Sequence, residues 1–437
     1  VGADSVTIAG TSGDDAIAVT AISASSASVA VNARGLITIR NATAASSLTV
    51  NAGDGSDTLQ MAVSGADNFD FVVNASGPAG TDRLFVEGTT GVDAFTYTPD
   101  ATIAADGVID VNGEQITFFG SEAIVLAGLG GNDTLTANVA NAGAVDDRLS
   151  WTPSGDDGRF QLNSSTAVDY TSLEVRTFAL GQSVVGDAIA VTGTSGNDVA
   201  SIVSGTGTVG VTLNGELGTF NFDAADVHTL TIDLGAGSDA ISVTPFADIA
   251  VTVHGGDAGN DTLTIVPAAT ATTVTETSAT VSGTEQTTFT GVETVVVNGT
   301  GPLTLQGSAS DDTVVISPTT RTGQINAGPA VSFPNVTALT ADGQGSTNDL
   351  VRIDGSASND TIGVNRTASS VTLAGLAVTL AAASEHLLVA AGAGDDTINI
   401  TGTGGPTSLT IDAGSHITGD TLTVTNTTAG TTTVVPG

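Results

Sequence analysis

The chain has 437 residues and a formal net charge of −37, from 46 acidic and 9 basic residues. Every basic residue is Arg, and there is no Cys. A field of that sign repels nucleic acid and anionic membrane surfaces. The missing thiols exclude a disulfide frame, thiolate catalysis and Cys-ligated zinc.

The first predicted elements are two strands joined by a turn, Asp4-Ser5-Val6-Thr7-Ile8-Ala9 and Ala16-Ile17-Ala18-Val19, with Gly10 to Asp15 between them. β-Branched residues alternating with polar ones suit a pleated, half-buried surface. Two short strands follow, at Ile37-Thr38-Ile39 and Leu48-Thr49-Val50, and then the glycine turn Gly53-Asp54-Gly55-Ser56-Asp57. The two-strand phrase returns from Asp82, Asp187, Gly301 and Asp349, and each return leads to another glycine turn. Asp15 to Asp57 is 42 residues, Asp93 to Asp133 is 40, Asp198 to Asp239 is 41, Asp312 to Asp349 is 37 and Asp360 to Asp396 is 36.

These intervals predict one continuous repeat array over 1–437. Its super-repeats are about 4–81, 82–186 (with an insertion at 138–178), 187–300, 301–348 and 349–437. The first unit divides into turns of about 26 residues, the size of a solenoid coil. An all-β, elongated parallel β-solenoid is the expected fold, with tandem β-sandwich domains as the alternative. Within 138–178, Trp151, Tyr170 and Arg159 are candidates for a lateral interface, because Trp, Tyr and Arg anchor contacts.

The turns have two readings. Left-handed glycines aim carbonyls inward while Asp adds charge, which suits hard, oxygen-seeking Ca²⁺. Alternatively, each turn is fixed by an Asx hydrogen bond. Gly130-Gly131-Asn132-Asp133-Thr134-Leu135 and Gly259-Asn260-Asp261-Thr262-Leu263 resemble the nonapeptide G-G-x-G-x-D-x-U-x of RTX-like (hemolysin-type) calcium-binding repeat proteins of bacterial surfaces. Unlike that family's tandem nonapeptides, the motifs here are mostly single and separated by longer coils. The resemblance implies Ca²⁺ as cofactor. Asp57, Asp133, Asp239, Asp261 and Asp396 are then the leading ligands, followed by Asp15, Asp198, Asp312 and Asp360. Asp14, Asp54, Asp257 and Asp395 are second ligands.

No catalytic residues are expected. The four His are scattered, no nucleophile elbow or P-loop is present, and Asp156-Asp157-Gly158-Arg159 reads as a solvated turn. The chain opens in a strand pattern rather than a leader, and no apolar run is long enough to span a bilayer. The function expected is that of an extracellular or cell-surface calcium-binding structural protein, part of a filament, sheath or S-layer. Its subunits self-associate head to tail, since the opening phrase recurs unfinished from Asp420. An adhesin or carbohydrate-binding stalk that contacts surface glycans is the alternative, followed by a β-helical polysaccharide-active enzyme.

Overall fold

Strands form wherever an apolar residue alternates with Thr, Ser or a charged residue. In Ile249–His254 the alternating residues Ile249, Val251 and Val253 are buried, and Ala250, Thr252 and His254 face outward. The computed structural model describes residues 4–43, 46–63, 69–76, 80–138, 147–180, 186–205, 208–221, 228–267, 269–382, 384–425 and 431–435. These residues are all-β, without a helix. They gather into two compact units, Val1–Gly193 with Val199–Asp233, and Thr194–Asp198 with Leu234–Gly437.

Within each unit the strands lie in two sheets, and the chain crosses from one sheet to the other at every corner. In the first unit Ser5–Ala9, Ser46–Asn51, Phe69–Asn74 and Glu114–Phe119 run parallel and in register. Ile8 lies beside Val50, Val50 beside Val73, and Val73 beside Phe118. The second unit stacks Leu350–Ser356, His386–Gly392 and Ser408–Asp412 in the same way. Apolar columns thus run from strand to strand through the interior.

The parallel stacking of the expected solenoid is present but is interrupted. Between parallel steps the chain makes three-stranded antiparallel meanders. In one, Ala94–Pro99, Gly107–Val111 and Glu114–Phe119 run back and forth within one sheet. Its outer strands still pair in parallel, with Thr134–Asn138 and Phe69–Asn74. The segment 138–178 holds another meander, Arg148–Ser154, Asp157–Leu162 and Val168–Thr171, so it is part of the sheet rather than a side insertion. Residues 139–146 of that segment lie outside the described residues. Along each unit, successive meanders alternate between the two sheets.

The meander also corrects the interface expectation. Strand alternation turns Trp151 and Tyr170 inward, where they are 0% and 1% exposed, so neither can anchor a lateral contact. Trp151 Nε1–H donates to Tyr170 Oη at 2.9 Å, and the Trp ring packs against Phe178 and Phe220 with centroids 5.8 Å away in each case. Gly218 makes room for the ring: a Cβ there would sit 2.7 Å from it. Arg159 does lie outside, 3.5 Å from Asp169.

Candidate functional site: an acidic ladder at the corners

The chemistry-bearing residues concentrate where the chain crosses between sheets. An opening corner reads Gly-Thr/Ser-x-x-x-Asp. At the first, Asp15 Oδ2 accepts the Thr11 N–H at 2.5 Å and the Thr11 hydroxyl at 3.0 Å. Thr89 serves Asp93, Thr194 serves Asp198, Ser308 serves Asp312 and Ser356 serves Asp360 in the same way. The carboxylate fills the space beside the corner's glycine. At Gly88 an added Cβ would lie 2.6 Å from Asp93 Oδ2.

Each of these Asp residues then reaches along the stack. The Asp15 N–H donates to Asp57 Oδ1 at 2.8 Å, Asp57 N–H to Asp82 Oδ1 at 2.8 Å, and Asp82 N–H to Glu122 Oε2 at 2.7 Å. A second run goes from Asp93 to Asp133 and ends on Glu174. In the second unit, Asp198 donates to Asp239, Asp239 to Asp261, and Asp261 to Glu293 at 2.7, 2.8 and 2.6 Å. Asp312 donates to Asp349, which ends on Glu385, and Asp360 donates to Asp396, which ends on Asp420. One further run in the first unit, Asp147 to Asp187, ends on His228 Nδ1 at 3.0 Å. Meanwhile the Asp carbonyls continue the ordinary parallel ladder, Thr58 N–H to Asp15 O and Thr262 N–H to Asp239 O among them. At every rung a side chain supplies the acceptor that the turning backbone cannot, which satisfies a buried donor.

Asn residues close the ladder onto the meanders. Asn32, Asn112, Asn163 and Asn326 sit at the meanders' second turns with φ of 53, 56, 52 and 50°, the left-handed region that Asn tolerates. Asn112 Nδ2 donates to Asp93 Oδ1 at 2.5 Å, while its Oδ1 accepts the Ala94 N–H at 2.8 Å. Asn32 does the same for Asp15, Asn163 for Asp147 and Asn326 for Asp312. The Asn stands where a neighbouring strand would otherwise present its Asp. Asn112→Ala removes both bonds and strains the turn, so it is expected to cost about 2–4 kcal/mol in chemical denaturation. Asn112→Gly relieves the turn alone and should recover about 1 kcal/mol of that loss. Equal losses for the two would separate the turn from the ladder.

A second, outer file runs one residue earlier. Asp14 Oδ1 accepts the Ser56 N–H, Asn197 accepts from Ser238, and Asn359 accepts from Asp395, each at 2.9 Å. Asp395 in turn accepts the backbone N–H of Ile417, Thr418 and Gly419. Bonds from the Thr418 hydroxyl and N–H hold its carboxyl well below the usual range.

Burial pushes the carboxyls of Asp57, Asp82, Asp133, Asp239, Asp349 and Asp396 upward, and the neighbouring acids add to the shift. The Thr11 N–H lowers Asp15. For Asp312 burial is the largest influence and acts upward, but bonds from Asn326 and Ser308 outweigh it and the carboxyl is lowered. Oδ2 of Asp57, Asp133, Asp239, Asp349 and Asp396 is buried without a hydrogen-bond partner.

The predicted ligands therefore fall into three places. Asp15, Asp57, Asp133, Asp198, Asp239, Asp261, Asp312, Asp360 and Asp396 stand in the inner ladder. Asp14 and Asp395 belong to the outer file, and Asp54 and Asp257 are exposed at turn tips. The structure does not bring them together as a coordination shell: among the described residues no group of three His, Cys, Asp or Glu could hold a metal ion. The terminators Glu122, Glu174, Glu293 and Glu385 escape the sequence reading. Their signal is a Glu immediately before the strand that follows four of the meanders, as in Ser121-Glu122-Ala123-Ile124 and Val292-Glu293-Thr294-Val295. Comparison with known proteins gives no match to a family model and none to a curated protein.

Proposed function

We propose that this chain is a structural protein of the cell exterior, a stretch of β-solenoid belonging to a surface filament, sheath or S-layer. The observation that carries the reading is the acidic ladder. It commits the buried Asp residues of the corners to joining strand to strand along the stack. Its spacing also supports a coil. Successive rungs are 25, 22 and 24 residues apart where no meander intervenes (Asp57 to Asp82, Asp239 to Asp261, Asp396 to Asp420). They are 32–42 apart where one does, as from Asp261 to Glu293 and from Asp15 to Asp57. The unit of construction is then a two-strand coil, lengthened at intervals by a meander in alternating sheets, and repeats that bury their faces on one another favour association between copies. Electron microscopy of concentrated protein tests the assembly: filaments or sheets are expected, and monodisperse particles at every concentration would overturn it.

Calcium enters this reading as a screening ion rather than a folding cofactor. Asp54 and Asp257 at the exposed turn tips offer carboxylates to a cation, and the net charge of −37 favours taking one up. Thermal melts check the point. The fold is expected to survive in chelator, and millimolar Ca²⁺ is expected to raise the melting temperature by a few degrees. Unfolding in chelator would reassign the inner Asp residues from hydrogen-bond acceptors to metal ligands.

A further inference from the structure

A strand edge left open in the first unit has a counterpart in the second. In six of the meanders the third strand pairs in parallel with a strand from earlier in the chain. Val168–Thr171 takes Ala123–Ala127 in this way, and Ala330–Ser332 takes Thr294–Val297. The meander Ala16–Ser23, Ser26–Val31 and Ile37–Arg40 departs from the rule. Among the described residues its third strand, Ile37–Arg40, pairs with Ser26–Val31 alone. In the second unit Thr421–Thr425 pairs only with Thr397–Thr401 among the described residues. Thr421 N–H donates to Asp396 O, so in this parallel strand the N–H and C=O of Leu422 and Val424 point to the free side.

Both edges carry apolar residues that are exposed where their equivalents are buried. Val168 and Val331 lie five residues past the left-handed Asn163 and Asn326, and with their parallel partners in place they are 0% and 1% exposed. Ile37 lies five residues past Asn32, beside the fully buried Val29, yet it is 44% exposed. On the other edge, Val424 extends the column of the fully buried Ile400 and is 47% exposed. Leu422, two residues past the rung Asp420, is also partly exposed. Its equivalents, two residues past the rungs Glu122 and Glu293, are Ile124 and Val295. Both are fully buried, and they pair with Val168 and Val331.

We infer that the Ile37–Arg40 edge of one copy receives Thr421–Thr425 of a second copy as a parallel strand. The occupant is a second copy because the chain itself carries the strand that fits, with the rung before it, the apolar phase and the open edge that the slot takes in the other meanders. The equivalences fix the register: Ile37 stands beside Leu422 and Ile39 beside Val424, and Thr38 and Thr423 meet on the outer face. Main-chain bonds supply the attraction and the alternating apolar residues the specificity, as in strand addition to a sheet edge. Arg34 and Arg40 flank the receiving strand on a chain with only 9 basic residues, while Asp420 leads the incoming one, so unlike charges steer the encounter. The two edges differ, so the contact is heterologous and repeats from copy to copy as an open file. This inference rests on the structural role proposed above and names the joint through which such an assembly grows.

Cross-linking of full chains tests the joint, and the absence of native Cys keeps the readout clean. Thr38 and Thr423 are both exposed, and paired strands about 4.8 Å apart bring two such positions within disulfide reach. A mixture of the Thr38→Cys and Thr423→Cys chains under mild oxidant is expected to give mostly mixed covalent dimers, and either chain alone mostly monomer. Val424→Pro removes a donor on the free side and no bond to Thr397–Thr401. Added to the Thr423→Cys chain, it is expected to cut the mixed yield at least tenfold with an unchanged melting temperature, and Ile37→Lys in the Thr38→Cys chain should do the same. Filaments without a mixed cross-link would overturn this joint and leave the assembly standing. Thr38→Cys that cross-links chiefly to itself, or Val424→Pro that cross-links like its parent, would also overturn the joint. A mixed cross-link without filaments would keep the joint and remove the filament, and the absence of both would remove the two together.

Discussion

Asp239→Ala is expected to destabilise the second unit by about 2 kcal/mol, whereas Asp239→Asn is expected to leave it unchanged or firmer. The Ala variant removes the acceptor of the Asp198 N–H, a bond of 2.7 Å at a site where Asp239 is 2% exposed. A buried donor left unpaired costs about 1–3 kcal/mol. For a body of this size that is a fall of roughly 4–8 °C in melting temperature. The Asn variant keeps an oxygen for the N–H while removing a carboxyl that burial and its neighbours Asp261 and Asp198 disfavour as an anion. A metal-ligand role predicts the opposite ranking in part, because Asn gives up the charge that a cation needs. Equal damage from both substitutions, cured by Ca²⁺, would contradict the hydrogen-bond account.

The second large effect is on pH. Asp57, Asp82, Asp133, Asp239, Asp349 and Asp396 bind protons more readily folded than unfolded, their carboxyls lying above the ordinary value of 3.8. Stability from such groups is fully present below the unfolded value and is lost as pH rises through the folded one. Lowering the pH from neutral towards 4 should therefore raise the melting temperature. Asp15 and Asp312 act in the other direction. Their carboxyls lie below 3.8, so the stability they contribute is lost as pH falls beneath that value. A maximum near pH 4, around the ordinary carboxyl value, with a decline on both sides, is the expected profile. Calorimetry across pH 3–8 checks it, and a melting temperature that falls steadily from pH 7 downward would show that the buried carboxyls are stabilised as anions.

Much of this architecture is legible in the residues, and the gaps have physical causes. The Gly-Thr-x-x-x-Asp phrase and the glycine turns mark the corners, because only a small residue fits beside the carboxylate and glycine readily takes the φ of 108 and 141° found at Gly53 and Gly131. The alternating strands are equally plain. Their direction is not: period-two alternation is the same in parallel and antiparallel strands, so the meander Ala94 to Phe119 looks like further coil. The same blindness affects Trp151 and Tyr170, whose types suggest a contact surface while their phase in the strand buries them. Asn112 and Glu122 are ordinary residues in a linear reading, and their part emerges when the register brings them to Asp93 and Asp82. Of the two readings of the turns, the Asp side-chain hydrogen bond accounts for the observed contacts: at the opening corners it closes the turn on itself, and at the glycine turns it reaches to the neighbouring strand in the stack.

Amide hydrogen exchange in the presence of chelator tests the ladder most directly. The backbone N–H of Asp15, Asp57, Asp93, Asp133, Asp198, Asp239, Asp312, Asp360 and Asp396 each donates to an Asp side chain one step along the stack or, for Asp133, to Glu174. The ladder predicts that these amides exchange as slowly without Ca²⁺ as those of the strands they precede. Fast exchange at these corners in chelator, slowed when Ca²⁺ is restored, would contradict it.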